Sequence, residues 1–308
     1  KFELKEIKPL SFGGFLFQPG LRKFIKKKQF DICISFLDVT HLDALAAIFF
    51  PICSRTICWG VWLTKKKSAN MLRIAAIKRS ESALFYCYRH LNEIADSGVD
   101  KRNLYVAQNT VAVNYKSINM KNFQRRDSIL FVGSFIPRKG IDRLVRIFSN
   151  AIRELPKRVK LVLIGDGPER KKISQLVDHF EIKDRVLMPG WVTDKTTLST
   201  YYLRTKLSVS LEHAGLFVLQ SMGHGVPFLT IRGSMSGGEI DNIIDGVNGF
   251  LVKDSDKEIL SKLTLLFKNN KRAVEMSKSA HLHYNKYATI ENYAQGFFDV
   301  IEKTKNSK

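Results

Sequence analysis

Three short stretches of this chain set charged or amide side chains beside glycine turns, each where an apolar run gives way to a helical pattern. The first is Phe131-Val132-Gly133-Ser134-Phe135-Ile136-Pro137-Arg138-Lys139-Gly140, which delivers two cations just before a helix. A phosphate there would meet the cations and the free backbone N–H groups of the helix start. The second is Gly165-Asp166-Gly167-Pro168-Glu169-Arg170, whose glycines permit tight turns and whose proline suits a first helical turn. Turn chemistry explains most of it. In the third, Glu212-His213-Ala214-Gly215-Leu216-Phe217-Val218-Leu219-Gln220, a carboxylate ends a strand, Gly215 lets backbone approach a ligand, and Gln220 lies about one turn inside a helix. A ligand held by Glu212 at one end, by the N–H groups of Gly215, Leu216 and Phe217 in the middle, and by Gln220 at the other has the form of a nucleotide diphosphate sugar.

Other chemistries are disfavoured by what is missing. The sequence contains no GxxxxGK[ST] phosphate loop and no HExxH, and Met235 breaks the GxSxG pattern in the 233–237 stretch. Arg170 stands where a dinucleotide fingerprint needs its third glycine, which argues against hydride transfer. His281 and His283, two apart on a helical pattern, diverge and suit surface or packing roles better than metal ligation. No metal site is expected.

These stretches need strands and helices to hold them. Short β-rich runs at 31–37, 56–63, 83–87 and 104–107 alternate with helical patterns, and a clearer series follows at 129–132, 160–164, 186–188, 207–211, 227–231 and 250–252. Helical patterns at 141–153, 169–180, 196–203 and 216–224 separate members of the second series. The alternation predicts βαβ units and parallel sheets, with ligands at the carboxyl ends of the strands. The polar segment 114–127 separates the two series. The expected division is a domain at 1–127, a second at 128–288, and a terminal helical piece at 289–308 able to pack back on the first.

With 308 residues, 44% hydrophobic and 26% charged, the chain has material for two cores of roughly 150 residues each. Its formal charge of +21 calls for anionic partners. Residues before 129 carry 22 basic and 10 acidic side chains, a net +12, leaving 28 and 19, a net +9, for the longer remainder. In LRKFIKKK (21–28), Leu21, Phe24 and Ile25 share a helical face ringed by cations; an anionic lipid surface and plain solvation both fit. The basic runs lack interleaved aromatics and no nucleic-acid motif is present, so no nucleic-acid partner is expected. Cys33, Cys53, Cys58 and Cys87 show no CxxC spacing and read as buried thiols of a reducing compartment. The apolar stretch 44–63 is broken by Pro51 and Arg55 and reads as a helix then a strand, not a membrane span.

Taken in order, VGSFIPRKG, LVLIGDGPER, RVLMPGWV, EHAGLFVLQSMGHGVPFLT and DGVNGFLV resemble the donor domain of the GT4 family of retaining glycosyltransferases. The likeness covers most of 129–303; a weaker one reaches ALFYCYRHLNEIADSGVDKRNLYVAQNTV in the first domain. The resemblance implies an α/β GT-B fold, two Rossmann-like domains facing a central cleft. By the family's pattern, Lys139 would hold the donor's phosphates with Arg138 assisting, beside Gly133, Ser134 and Gly165. Val192 would meet the base through its backbone. Glu212 would contact the transferred sugar, Ala214, Gly215, Leu216 and Phe217 would lie along the pyrophosphate, and Gln220 would reach the ribose. Glu212 and Lys139 would be the catalytic pair. The implied enzyme is a metal-independent hexosyltransferase without a separate cofactor, moving sugar from a nucleotide diphosphate donor to a lipid-linked or polysaccharide acceptor in bacterial surface polysaccharide synthesis. Its expected place is the cytoplasm, peripheral on the inner face of the plasma membrane. The alternative is a GT-B protein that binds a nucleotide sugar without catalysis.

Three residues depart from the pattern, and two of them, Gln220 and Val61, together with a short start suggest that alternative. Gln220 replaces the second glutamate of the paired acidic motif, and a neutral hydrogen bond is worth roughly 0.5–1.5 kcal/mol against 1.5–3 for a charged one. Ser134 stands where an arginine often follows the glycine, and Val61 in Trp59-Gly60-Val61-Trp62 where related sequences often carry histidine. The first domain is also short by about 50 to 60 residues for such a domain, so a truncated start is expected.

Overall fold

The computed structural model describes residues 4–60, 63, 64, 66–113, 123 and 126–306. The Val61 position and most of the 114–127 segment lie outside them. Two compact units are formed, one from residues 1–108 with 291–308, the other from 109–290. Residues 109–113 thus belong with the second unit: Val113 N–H donates to Tyr284 Oη at 3.2 Å, and Tyr284 Oη donates to the Val111 carbonyl at 2.8 Å.

The first unit opens with a hairpin, β1 (Leu10–Phe12) and β2 (Phe15–Phe17), and helix α1 (Leu21–Lys28). Its sheet is parallel in the order β3 (Ile32–Phe36), β4 (Arg55–Trp59), β5 (Ser82–Phe85), β6 (Leu104–Val106). Helices α2 (Leu42–Phe49), α3 (Lys67–Arg79) and α4 (Tyr88–Asp96) make the crossovers. The last helix, α11 (Ile290–Asn306), covers this sheet, burying Val300 against Ile57, Leu84 and Ala107.

In the second unit six described strands run in the order β12-β11-β10-β7-β8-β9, all parallel. They are β7 (Ser128–Val132), β8 (Lys160–Ile164), β9 (Val186–Gly190), β10 (Thr205–Val209), β11 (Phe228–Ile231) and β12 (Gly249–Val252). Helices α5 (Ile141–Ala151), α6 (Arg170–His179), α7 (Lys195–Arg204), α8 (Phe217–Gly223), α9 (Asp256–Lys268) and α10 (Asn270–Tyr287) flank it. Covered on both faces, β7, β10 and β11 are buried almost throughout, which is why they read as apolar or small-polar runs rather than as alternating ones. α5 shows the complementary helical pattern, burying Ile141, Leu144, Val145, Ile147, Phe148 and Ala151 on the sheet.

Strand order reverses at β7. The chain proceeds from β7 to β8 and β9 on one side, then returns to lay β10, β11 and β12 on the other. The carboxyl ends of β7 and β10, which pair at Leu207 and Ile129, therefore splay their loops apart and leave a crevice. The 133–140 and 210–216 segments leave from those two ends.

Candidate active site

Lys139 and Glu212 come together at this switch point. Pro137–Lys139 form a single 3₁₀ turn closed by Gly140, which has φ 62° and ψ 32° and also starts α5. A β-carbon on Gly140 would stand 2.9 Å from Glu212 Oε1, so the carboxylate lies over the turn that carries Lys139. Lys139 Nζ is 2.9 Å from His213 Nδ1. Burial first, then the neighbouring Arg138, pulls the Lys139 ammonium below the ordinary lysine value, while Glu239 opposes them. A half-buried ammonium with a second cation beside it is short of negative charge, and an arriving anion supplies it.

The remaining expected residues are each held in a distinct way. The Gly133 N–H donates to the Ile164 carbonyl at 3.0 Å and the Phe135 N–H to the Asp166 carbonyl at 2.8 Å, which locks the loop holding Gly133 and Ser134 onto the turn after β8. Gly165 permits that approach: its φ is 134°, and a β-carbon there would overlap the Gly133 carbonyl oxygen at 1.9 Å. Its place in the site is thus structural support. Arg138 is exposed. Val192 and Phe217 are half-buried on one apolar cluster with Leu130 and Tyr202. Ala214 is buried, its N–H donating to the Met235 carbonyl at 2.8 Å. Gly215 and Leu216 lead into α8, and the Gly215 carbonyl accepts from the Val218 N–H at 2.9 Å. Gln220 is half-buried one turn in, and its backbone carbonyl accepts from the His224 ring at 2.8 Å.

Two further residues join the site without having been expected. His213 touches Lys139 directly. Glu239 is 5% exposed in a 3₁₀ turn after β11 and accepts from Ser236 Oγ and the Gly237 N–H, each at 2.9 Å, and from Asn109 Nδ2 at 2.9 Å. It also raises the proton affinity of both Lys139 and His213. The signal for Glu239 was a carboxylate in the otherwise small and apolar GGEI run; that for His213 was a ring adjoining the strand-end glutamate. Among the described residues no group of three histidine, cysteine or acidic side chains is arranged to hold a metal ion.

A six-stranded parallel sheet with a lysine and a carboxylate at its switch point is the setting of several chemistries, and sequence comparison decides among them. Residues 117–283, more than half of the chain, match the family model of Glycosyl transferases group 1. The chain belongs to this family. Among its relatives, the N-acetyl-alpha-D-glucosaminyl L-malate synthase of Bacillus anthracis is 28% identical over 185 residues, 58% of this chain and 47% of the relative. The lipopolysaccharide core biosynthesis glycosyltransferase LpsD of Rhizobium meliloti is 32% identical over 104 residues, 34% of this chain and 29% of the relative. This group 1 glycosyl transferase chain therefore spans about half or less of the length of those relatives. The solved Anabaena Alr3699/HepE structure, in complex with UDP, superposes with a TM-score of 0.72 at 15% identity, covering 92% of this chain and 81% of that one. At that identity the likeness speaks for fold, and the fold is GT-B.

Proposed function

We propose that this group 1 member is a retaining glycosyltransferase of the GT4 type, moving a hexose from a nucleoside diphosphate donor to a lipid-linked or saccharide acceptor. The observation that carries the reading is the convergence of Lys139 and Glu212 on the Gly140 turn at the carboxyl ends of β7 and β10. A diphosphate beside Lys139 places its sugar within reach of Glu212. In the reaction the C1–O bond to the β-phosphate breaks while an acceptor oxygen bonds C1 on the same face, and the acceptor proton passes to a phosphate oxygen. Lys139, assisted by Arg138, stabilises the charge growing on the leaving diphosphate, an interaction stronger in the transition state than in the ground state. With cations in that role no metal or separate cofactor is needed.

Bacterial surface polysaccharide synthesis on the cytoplasmic side of a membrane is the setting we favour, consistent with what LpsD is named for. The first unit supports a membrane surface: Phe12 is 88% exposed, Phe15 and Phe17 stand beside it on the hairpin, and α1 carries five cations. Exposed aromatic side chains and a lysine-rich helix in one unit suit an anionic interface. Among the described residues no helix is long and apolar enough to cross a membrane.

The test is a thermal-shift panel of UDP, GDP, ADP and their sugars on the full-length protein, followed by transfer assays with the responding donor. Lys139→Ala and Glu212→Ala should each lower transfer about 100-fold or more with little change in melting temperature. Turnover at the wild-type rate in either variant would overturn the reading. Binding without transfer or donor hydrolysis would favour the non-catalytic alternative that Gln220 suggests.

A further inference from the structure

His213 lies where two backbone segments are pinned together. The Ala214 N–H donates to the Met235 carbonyl at 2.8 Å, the Met235 N–H to the Glu212 carbonyl at 3.0 Å, and Ser210 Oγ to the His213 carbonyl at 2.7 Å. The ring between these anchors has little freedom. Its Nδ1 is 2.9 Å from Lys139 Nζ. An ammonium has only donors, so Nδ1 accepts, and the imidazole is neutral with its proton on Nε2. On another side the ring approaches Gly215, where a β-carbon would come within 3.2 Å of His213 Cε1. The imidazole thus fills the space between the cationic turn and the segment leading into α8.

Four charged groups surround it. Lys139 and Arg138 face it from the 3₁₀ turn, Glu239 from the turn after β11, and Glu212 adjoins it in its own segment. Burial, then Lys139 and Arg138, hold the ring's proton affinity below the ordinary histidine value, with Glu239 partly opposing. The neutral ring is stable only while Lys139 has no better acceptor.

We propose that His213 is a proton-coupled anion-binding residue: the donor's diphosphate displaces it as the acceptor for Lys139, and the freed imidazole takes a proton from solvent to become a second cation on the same phosphates. This rests on the reading that Lys139 meets the diphosphate. Atoms and charge balance, since the acid form of the solvent buffer gives one proton to the imidazole and becomes its conjugate base, while Lys139 keeps its own. Before the donor arrives, the neutral ring spares the site a further buried positive charge. Once the diphosphate is in place, its negative charge removes the reason the ring stayed neutral, and the proton affinity of His213 rises above that of the free site.

The sign of the pH effect follows. Between the low proton affinity of the free site and the higher one of the complex, binding takes up a proton, so affinity falls as pH rises, at most about tenfold per pH unit. UDP is the first probe, with GDP and ADP as the others, titrated calorimetrically into the full-length protein from pH 6 to 8.5 in buffers of differing ionisation heat. His213→Asn keeps an oxygen near Nδ1 to hold Lys139 but cannot titrate. The wild type should take up more protons than His213→Asn, with a steeper loss of affinity toward high pH, while the nucleotide's own ionisation contributes equally to both. A ¹⁵N histidine spectrum of the wild type should show His213 change from neutral to imidazolium on adding the nucleotide at pH 7, a readout independent of how the variant folds. Equal proton uptake in the two proteins, or a ring that stays neutral, overturns this proposal and leaves the transferase reading standing. If none of the three nucleotides binds the wild type, both fall.

Discussion

Gly140 and Gly165 separate what the site needs from what the fold needs. A methyl at Gly165 meets backbone, the Gly133 carbonyl oxygen at 1.9 Å, with φ at 134°. Neither strand end can yield without breaking the bonds between the 133–135 loop and the turn after β8. Gly165→Ala should therefore destabilise by at least ~2 kcal/mol in urea unfolding and weaken nucleotide binding with it. A methyl at Gly140 meets instead the Glu212 carboxylate, the free end of a side chain that can swing away. The left-handed backbone costs an alanine about 1–2 kcal/mol. Gly140→Ala should thus stay folded and hold nucleotide, yet lose transfer, because Glu212 is pushed from the turn. A variant with full transfer would mean that Glu212 works from some other position.

At the level of elements, β10 carries an oddity: Lys206 is 2% exposed in the middle of a sheet. It donates to Asn270 Oδ1 at 3.0 Å, and its ammonium lies 5.2 Å from the Phe267 ring, so it ties β10 to the junction of α9 and α10. Burial, with Arg158 and Arg126 nearby, pulls its pKa down to about 8 from 10.5. The folded state holds this proton less tightly than the unfolded one. Lys206 thus costs stability below pH 8, and the cost is relieved as pH rises from 8 to 10.5. Lys206→Met should flatten the pH dependence of unfolding in that window relative to wild type; equal slopes in the two proteins would show that water reaches the ammonium.

The same strand shows how far the sequence could be read. The second sheet was legible because 160–164 and its neighbours are continuous apolar runs between glycine turns, and the observed strands fall within a residue or two of the expected ones. β10 begins earlier than expected, at Thr205, because buried Thr205 and Lys206 look polar in the sequence and are accommodated by tertiary partners. The β1–β2 hairpin was missed altogether. Its three-residue strands hold exposed phenylalanines with no alternation to betray a buried face. In the site, Lys139 and Glu212 were visible from turn chemistry, whereas Glu239 reaches the pair only through the fold. It lies 27 residues beyond Glu212 on a turn that the 212–235 backbone bonds bring alongside.

Taken whole, the chain passes out of the first unit near residue 108 and comes back near 291, so the first unit's core is completed by a helix distant in sequence from its sheet. Helix α11 seals one face of the β3–β6 sheet: Thr304 Oγ1 and Ser82 Oγ are 3.0 Å apart, and Trp59 meets Phe297 edge-on at 5.3 Å. The contact is closest at Gly296, where a β-carbon would stand 2.6 Å from the Val106 carbonyl oxygen. The second unit has its own cluster, from Phe123 and Ile129 through Met276, with no residue of α11 in it. Damage to α11 should therefore act on one unit. Gly296→Leu is expected to cost about 2–3 kcal/mol by overpacking, lowering the melting transition of the first unit while the second still binds a nucleoside diphosphate with wild-type affinity. Differential scanning calorimetry with and without the nucleotide reads both effects at once: the ligand should raise only the transition that the substitution leaves in place. A single transition that moves with both the substitution and the ligand would show that the two cores unfold as one.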